Sequence, residues 1–168
     1  MMKKYLLLIV LMVAAVSTWG ADAANWFRNG SISPDGKTVV FTYKGDLYTV
    51  ASTGGNATRL TTTPAYDGFP HWSPDGSKIA FSSDRYGGMD VFVMSKEGGT
   101  PQRLTTNSAG EQVQAFLDNE HVLYSAYYMP TKDDLIFPGS FTQVYSVDLN
   151  GSRPTLFSAI AMENICIK

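Results

Sequence analysis

A chain of 168 residues with 13 Lys plus Arg, 15 Asp plus Glu, 44% hydrophobic residues and one cysteine falls within the range of ordinary globular proteins. Those totals exclude collagen-like, low-complexity and disulfide-stapled architectures. The formal net charge of -2, with no run of Lys or Arg beyond Lys3-Lys4, provides no field to attract a phosphate backbone, so nucleic acid is not an expected partner.

The first element is a leader. Lys3 and Lys4 precede an unbroken apolar run from Leu6 to Val16, too short to span a bilayer, which takes about 20 apolar residues. Ala21-Asp22-Ala23 then offers small residues at the two positions a signal peptidase reads, which predicts a signal peptide over 1–23. The alternative is an uncleaved anchor; after cleavage no stable membrane span is expected. Cys166, the lone cysteine, has no partner, and export without disulfides suits a bacterial periplasm or cell exterior.

Residues 24–168 repeat themselves. Ser33-Pro34-Asp35-Gly36 returns as Ser73-Pro74-Asp75-Gly76, and Gly54-Gly55 with Arg59-Leu60-Thr61-Thr62 returns as Gly98-Gly99 with Arg103-Leu104-Thr105-Thr106. The spacings of 40 and 44 residues place an insertion at Arg85-Tyr86-Gly87-Gly88-Met89. In the second unit, strands are predicted at Phe69 to Trp72, Lys78 to Ser83, Asp90 to Met94 and Gln102 to Thr105. Ser-Pro-Asp-Gly joins the first two, because Pro fixes φ, Asp caps the turn and Gly accepts the last backbone angle. Gly98-Gly99 is expected to close the hairpin between the third and fourth strands through positive φ. A third, eroded copy starts at Asp118-Asn119 and runs through Val144-Tyr145-Ser146-Val147 to a turn at Asn150-Gly151.

No segment past residue 25 has a 3.6-residue apolar period, and Val, Ile, Phe, Tyr and Thr dominate the predicted strands, so the fold class is all-β. Four strands in 40 to 44 residues is the arithmetic of a propeller blade. The prediction is an incomplete β-propeller over 24–168: blade one at about 26–62, blade two at 69–106, blade three at 113–157 and the start of a fourth at 160–168. Closed propellers use about four to eight blades, so an open arc of marginal stability, the beginning of a larger protein, is expected.

The stretch Leu60 to Gly76, continued by Ile79-Ala80-Phe81-Ser82-Ser83-Asp84-Arg85-Tyr86-Gly87 and Asp90-Val91-Phe92-Val93-Met94, resembles the WD40-like repeat of TolB and tricorn-type proteins. It is similar in particular to the N-terminal propeller of secreted tricorn-like serine peptidases, the C-terminal-processing-peptidase group. The resemblance covers residues 25–168 and implies a propeller that admits or positions unfolded peptide ahead of a PDZ module and a serine peptidase domain. It places no catalytic residue of that family on this sequence.

Chemistry is sparse in the residues themselves. The Gly-x-Ser-x-Gly elbow of a hydrolase is absent, and His71 and His121 occupy neighbouring repeat positions rather than a ligand-spaced pair. Glu111 with Asp133-Asp134 lacks the spacing and glycine of a calcium loop, and no cofactor or metal is expected. For Arg85 two readings stand: it pairs with a neighbouring carboxylate, or it points from its loop towards a peptide carboxylate. The second-to-third strand connection of the third unit, Ala126 to Ser140, is long and aromatic. It belongs to the face that carries the inter-blade loops, opposite the tight turns. Arg85, Tyr86, Tyr127, Tyr128, Met129 and Phe137 are therefore the candidate peptide- or protein-contacting surface, the alternative being that the aromatics fill core. The expected function is an exported, non-catalytic propeller segment that binds peptide or protein; a TolB-like component of an envelope assembly and a propeller hydrolase are the alternatives.

Overall fold

The computed structural model describes residues 26–107, 109–128 and 141–158. Its regular elements are twelve strands: β1 (Phe27–Ile32), β2 (Thr38–Tyr43), β3 (Asp46–Ala51), β4 (Thr58–Arg59), β5 (Asp67–Trp72), β6 (Lys78–Ser83), β7 (Asp90–Ser95), β8 (Gly98–Arg103), β9 (Glu111–Phe116), β10 (His121–Tyr128), β11 (Phe141–Asp148) and β12 (Thr155–Ser158). They form three four-stranded antiparallel sheets, each in chain order: β1 to β4, β5 to β8 and β9 to β12. Each sheet is a blade, and the chain is an all-β, incomplete propeller. Among the described residues no helix is long and apolar enough to cross a membrane.

Strand alternation decides how the blades stack. On the middle blade, Ile79, Phe81, Phe92 and Met94 point to blade one and meet Val40 and Leu47. The intervening Ala80, Val91 and Val93 point to blade three and meet Val113, Val122, Tyr124 and Val147. With both faces covered, β6 and β7 are buried over nearly their whole length, which explains their unbroken apolar spelling. Burying Phe81 and Phe92 contributes roughly 1.5–3 kcal/mol each.

The Ser-Pro-Asp-Gly turns work as their chemistry requires. Ser73 Oγ donates to Asp75 Oδ1 at 2.6 Å and accepts the Lys78 N–H at 2.9 Å, while Asp75 Oδ1 also accepts the Ser77 N–H at 2.9 Å. These donors, Ser73 foremost, hold the Asp75 carboxyl at about 2. Ser33 and Asp35 repeat the arrangement in blade one.

The third-to-fourth strand hairpin corrects the expectation at Gly98-Gly99. The turn itself falls on Lys96-Glu97, Ser95 pairs with Gly98, and both glycines already belong to β8. Their φ angles of +88° and +106° form a bulge directly after this two-residue turn. A Gly98→Ala variant is expected to lose about 1–2 kcal/mol, read as a shift of the urea midpoint, because an L side chain is strained at that φ.

Backbone bonds stitch neighbouring blades at one face. The Asp67 N–H donates to the Gly45 carbonyl at 2.7 Å, and the Glu111 N–H donates to the Met89 carbonyl at 2.9 Å. The loop between second and third strands of one blade therefore lies beside the first strand of the next. At the other end, the Asp75 N–H donates to Asn119 Oδ1 at 2.9 Å and Gln102 Nε2 to the Leu149 carbonyl at 2.7 Å.

Candidate functional site

The stitched face gathers the inter-blade linkers and the loop Asp84 to Met89. Its construction starts from an acid at the head of the first strand of blades two and three, Asp67 in β5 and Glu111 in β9. Asp67, at the start of β5, is fully buried, and Arg85 Nη2 donates to its Oδ1 at 2.8 Å. Arg85 Nε donates to Ser83 Oγ at 2.9 Å, and the guanidinium carbon lies 4.7 Å from the Phe92 ring centroid and 5.4 Å from that of Phe81. With 13% of its side chain exposed, Arg85 is committed to an internal pair rather than aimed outward. Asp84 is also committed: its Oδ1 accepts the Tyr66 N–H at 2.7 Å.

Tyr86, the next residue, is 66% exposed. Its ring is stacked with Phe92 at 6.1 Å between centroids and 14° between planes, and the Arg103 guanidinium lies 4.6 Å from its centroid. Arg103 is held by Asp90 Oδ2 at 2.7 Å. A flat aromatic surface is thus fixed in place before any partner arrives.

At the head of β9, Glu111 is 1% exposed and its Oε2 accepts a hydrogen bond from the Thr105 hydroxyl. Among the described residues its Oε1 has no hydrogen-bond partner, and neither has Oδ1 of the buried Asp90. Burial, reinforced by the Asp90 charge, pushes the Glu111 carboxyl up to about 7. Asp90 is also raised by burial, against the pull of Arg103. Glu111 lies beside a cavity of about 280 Å³ lined by Phe69, Met89, Gln112 and Ser125. Phe69 reaches it from a bulge in β5, where its φ is +53°.

Of the remaining predicted surface residues, Tyr127 and Tyr128 occupy the last two positions of β10, paired with Thr142 and Phe141; only their backbone is described. They extend the strand, so the connection expected from Ala126 starts after Tyr128. Met129 and Phe137 lie outside the described residues. His71 is half-buried in β5, and burial lowers its pKa. His121 Nδ1 sits 2.9 Å from Asp118 Oδ1 in an exposed turn. Among the described residues no three His, Cys, Asp or Glu side chains converge to hold a metal.

The sequence reading overlooked Asp67, and it weighed Asp90 as a loop charge and Glu111 as a calcium ligand without foreseeing their buried partners Arg103 and Thr105. A signal existed in the repeat: Asp46 and Arg59, at 2.6 Å, have the same 13-residue separation as Asp90 and Arg103, at 2.7 Å, and Thr61 and Thr105 accept equivalent backbone N–H bonds from Leu47 and Val91.

This blade architecture has a counterpart among known sequences. The sequence model of the tricorn protease N-terminal β-propeller domain matches residues 24–168. The chain belongs to the tricorn N-terminal propeller family. A relative in that family's orbit, tricorn protease homolog 1 of Streptomyces coelicolor, is 35% identical over 96 residues, spanning 56% of this chain and 9% of its own. The Tol-Pal system protein TolB of Bordetella pertussis is 41% identical over 54 residues, 32% of this chain and 12% of its own. The solved structure of a putative TolB from Agrobacterium tumefaciens superposes with a TM-score of 0.62 at 24% identity, covering 77% of this chain and 47% of that one, a likeness of fold. This tricorn-family propeller therefore spans well under two thirds of each of these proteins.

Proposed function

We propose that this chain is an exported propeller segment that binds peptide or protein on the stitched face and carries no catalytic centre of its own. The observation that supports the reading best is Tyr86, exposed yet immobilised between Phe92 and Arg103. An aromatic ring whose freedom is already spent contributes contact area at small entropic cost, which is why Tyr and Arg dominate protein contacts. Tyr127, Tyr128, Met129 and Phe137 are proposed as further contact residues on the grounds of their sequence alone, with Arg85 as the internal support of Tyr86's loop. The leader-like segment Lys3 to Ala23 supports export to a periplasm or the cell exterior.

The test uses reduced, carboxymethylated lactalbumin as an unfolded probe in a binding titration. Tyr86→Ala is expected to weaken binding by about tenfold or more while leaving the thermal midpoint unchanged. No binding by the parent chain, or peptide hydrolysis by a pure preparation, sinks the proposal. A second reading, a TolB-like component of an envelope assembly, draws on the 41% identity to the Tol-Pal protein. A preference for folded envelope proteins over the unfolded probe, both held at one concentration, favours it.

A further inference from the structure

The acids at the heads of β5 and β9 occupy equivalent places in unequal company. The Asp67 N–H donates to the Gly45 carbonyl and the Glu111 N–H to the Met89 carbonyl, so each begins its blade against a loop of the blade before. Asp67 is answered by Arg85 at 2.8 Å. Glu111 forms no ion pair among the described residues, and its Oε1, on a residue 1% exposed, has no hydrogen-bond partner there. Arg103 is bonded to Asp90 at 2.7 Å, which leaves two buried carboxylates to one guanidinium at the joint between blades two and three. A buried carboxylate oxygen without a donor is costly, and a cation that reaches it is held by a charge-assisted bond.

Glu111 also lines a cavity whose other walls suit an alkyl chain. The cavity, of about 280 Å³, has Phe69, Met89 and Ala126 as apolar walls, Gln112 and Ser125 among its polar ones, and no Lys, Arg or His in its lining. It falls just below the range of about 300–1,000 Å³ that holds drug-sized ligands, so its guest is a small molecule or a single side chain. Phe69 is brought there by unusual backbone: its φ of +53°, in the bulge of β5, is an outlier for a bulky residue, and such strain clusters at ligand sites. Of the two Glu111 oxygens only Oε1 is open to a ligand, because Oε2 accepts the Thr105 hydroxyl. A single acceptor does not match the paired donors of a guanidinium fork and does match the compact point charge of an ammonium group.

We propose that the cavity between blades two and three binds a primary ammonium group on a short alkyl stem, with Glu111 as its counter-ion. The ammonium donates to Oε1, the uncharged oxygens of Gln112 and Ser125 belong to the same lining, and the stem packs on Phe69, Met89 and Ala126. Free alkylamines and lysine side chains carry this group alike. Tyr86 is not part of the lining, so the site stands independently of the surface proposed above. The titratable groups that face Glu111 are Asp90 of β7, Arg103 of β8 and Tyr124 of β10, while Phe69 of β5 and Thr142 of β11 add no charge. Without a ligand the Glu111 carboxyl titrates at about 7, whereas the bound ammonium requires it ionised. Below that pH, binding therefore releases a proton from Glu111, and affinity rises with pH until the carboxyl is already ionised in the unliganded protein.

The experiment is titration of the isotope-labelled chain, followed through its amide resonances at constant ionic strength. The probes are the chlorides of n-butylamine and n-butylguanidine, n-butanol, and the methylamide of acetyl-lysine. n-Butylamine is expected to bind with a dissociation constant on the order of 1 mM, to shift the Glu111 amide, and to bind about tenfold or more tighter than the alcohol. Its affinity is expected to fall about tenfold from about pH 8 to about pH 6, a range in which the amine itself keeps its charge. Glu111→Gln is expected to abolish binding at about pH 8 while raising the denaturant midpoint there, which separates loss of the site from loss of the fold. Met89→Ala is expected to weaken binding several-fold and leave the pH dependence unchanged. Tighter binding of the lysine derivative assigns the site to a side chain of a partner protein, and tighter binding of butylamine assigns it to a free amine; either upholds the proposal. No binding of both at about 50 mM, equal binding of the alcohol or the guanidine, or binding that survives in Glu111→Gln overturns it.

Discussion

Replacing Arg85 by methionine is expected to lower the stability of the chain by about 3–5 kcal/mol, the cost of removing one partner from a buried ion pair. Methionine keeps the packing on Phe81 and Phe92, so the loss isolates the charge. What remains is the Asp67 carboxylate, fully buried, with Oδ2 unpartnered among the described residues and Oδ1 now deprived of its donor. The double variant that also carries Asp67→Leu is expected to recover most of the loss, because two apolar groups replace a pair whose desolvation was costly. Urea denaturation of the parent, both single variants and the double variant measures the coupling. A loss below about 1 kcal/mol in Arg85→Met refutes the burial argument. Arg59→Met provides the contrast: it faces Asp46 at a similar distance, but Arg59 has 44% of its side chain exposed, and such a pair contributes about 0–1 kcal/mol.

Glu111 gives the second large effect, in pH dependence. Its carboxyl ordinarily titrates at 4.5 and is pushed up to about 7 in the fold. Between these values the native state holds a proton that the unfolded chain has released, so stability falls as pH rises from 4.5 to 7 and stays low above. A shift of that size corresponds to about 3 kcal/mol. Glu111→Gln, which keeps the shape without the charge, is expected to be more stable than the parent at pH 8 by up to about 3 kcal/mol and nearly equal to it at pH 4. Denaturant midpoints across this range decide the matter; parallel curves for the two proteins exclude the proposed cause. The weakening acts at the joint between blades two and three, where Thr105 and Glu111 meet.

The blades were legible because the turns spell their own geometry. Ser73-Pro74-Asp75-Gly76 fixes φ, caps itself and ends on a glycine, and the β-branched and aromatic runs on either side leave one pairing register that buries Ile79 and Phe81 together. Gly98-Gly99 misled because a glycine pair reads as the turn, whereas positive φ serves equally in the bulge that follows it. The polar centre was less legible for a different reason. Arg85 has two chemically reasonable partners in sequence, a neighbouring carboxylate or a ligand, and only the three-dimensional approach of Asp67 to it, 18 residues away, chooses between them.

The bonds from Asp67 to Gly45 and from Glu111 to Met89 bear on how the molecule comes apart. Each is a main-chain link from the innermost strand of one blade to a loop of the blade before it, so a blade cannot open without releasing the amide that anchors it to its neighbour. Under tension applied at the two ends, the chain is expected to yield in discrete steps, one blade at a time, with the amide protons of Asp67 and Glu111 marking the successive breaks as each becomes free to exchange with solvent.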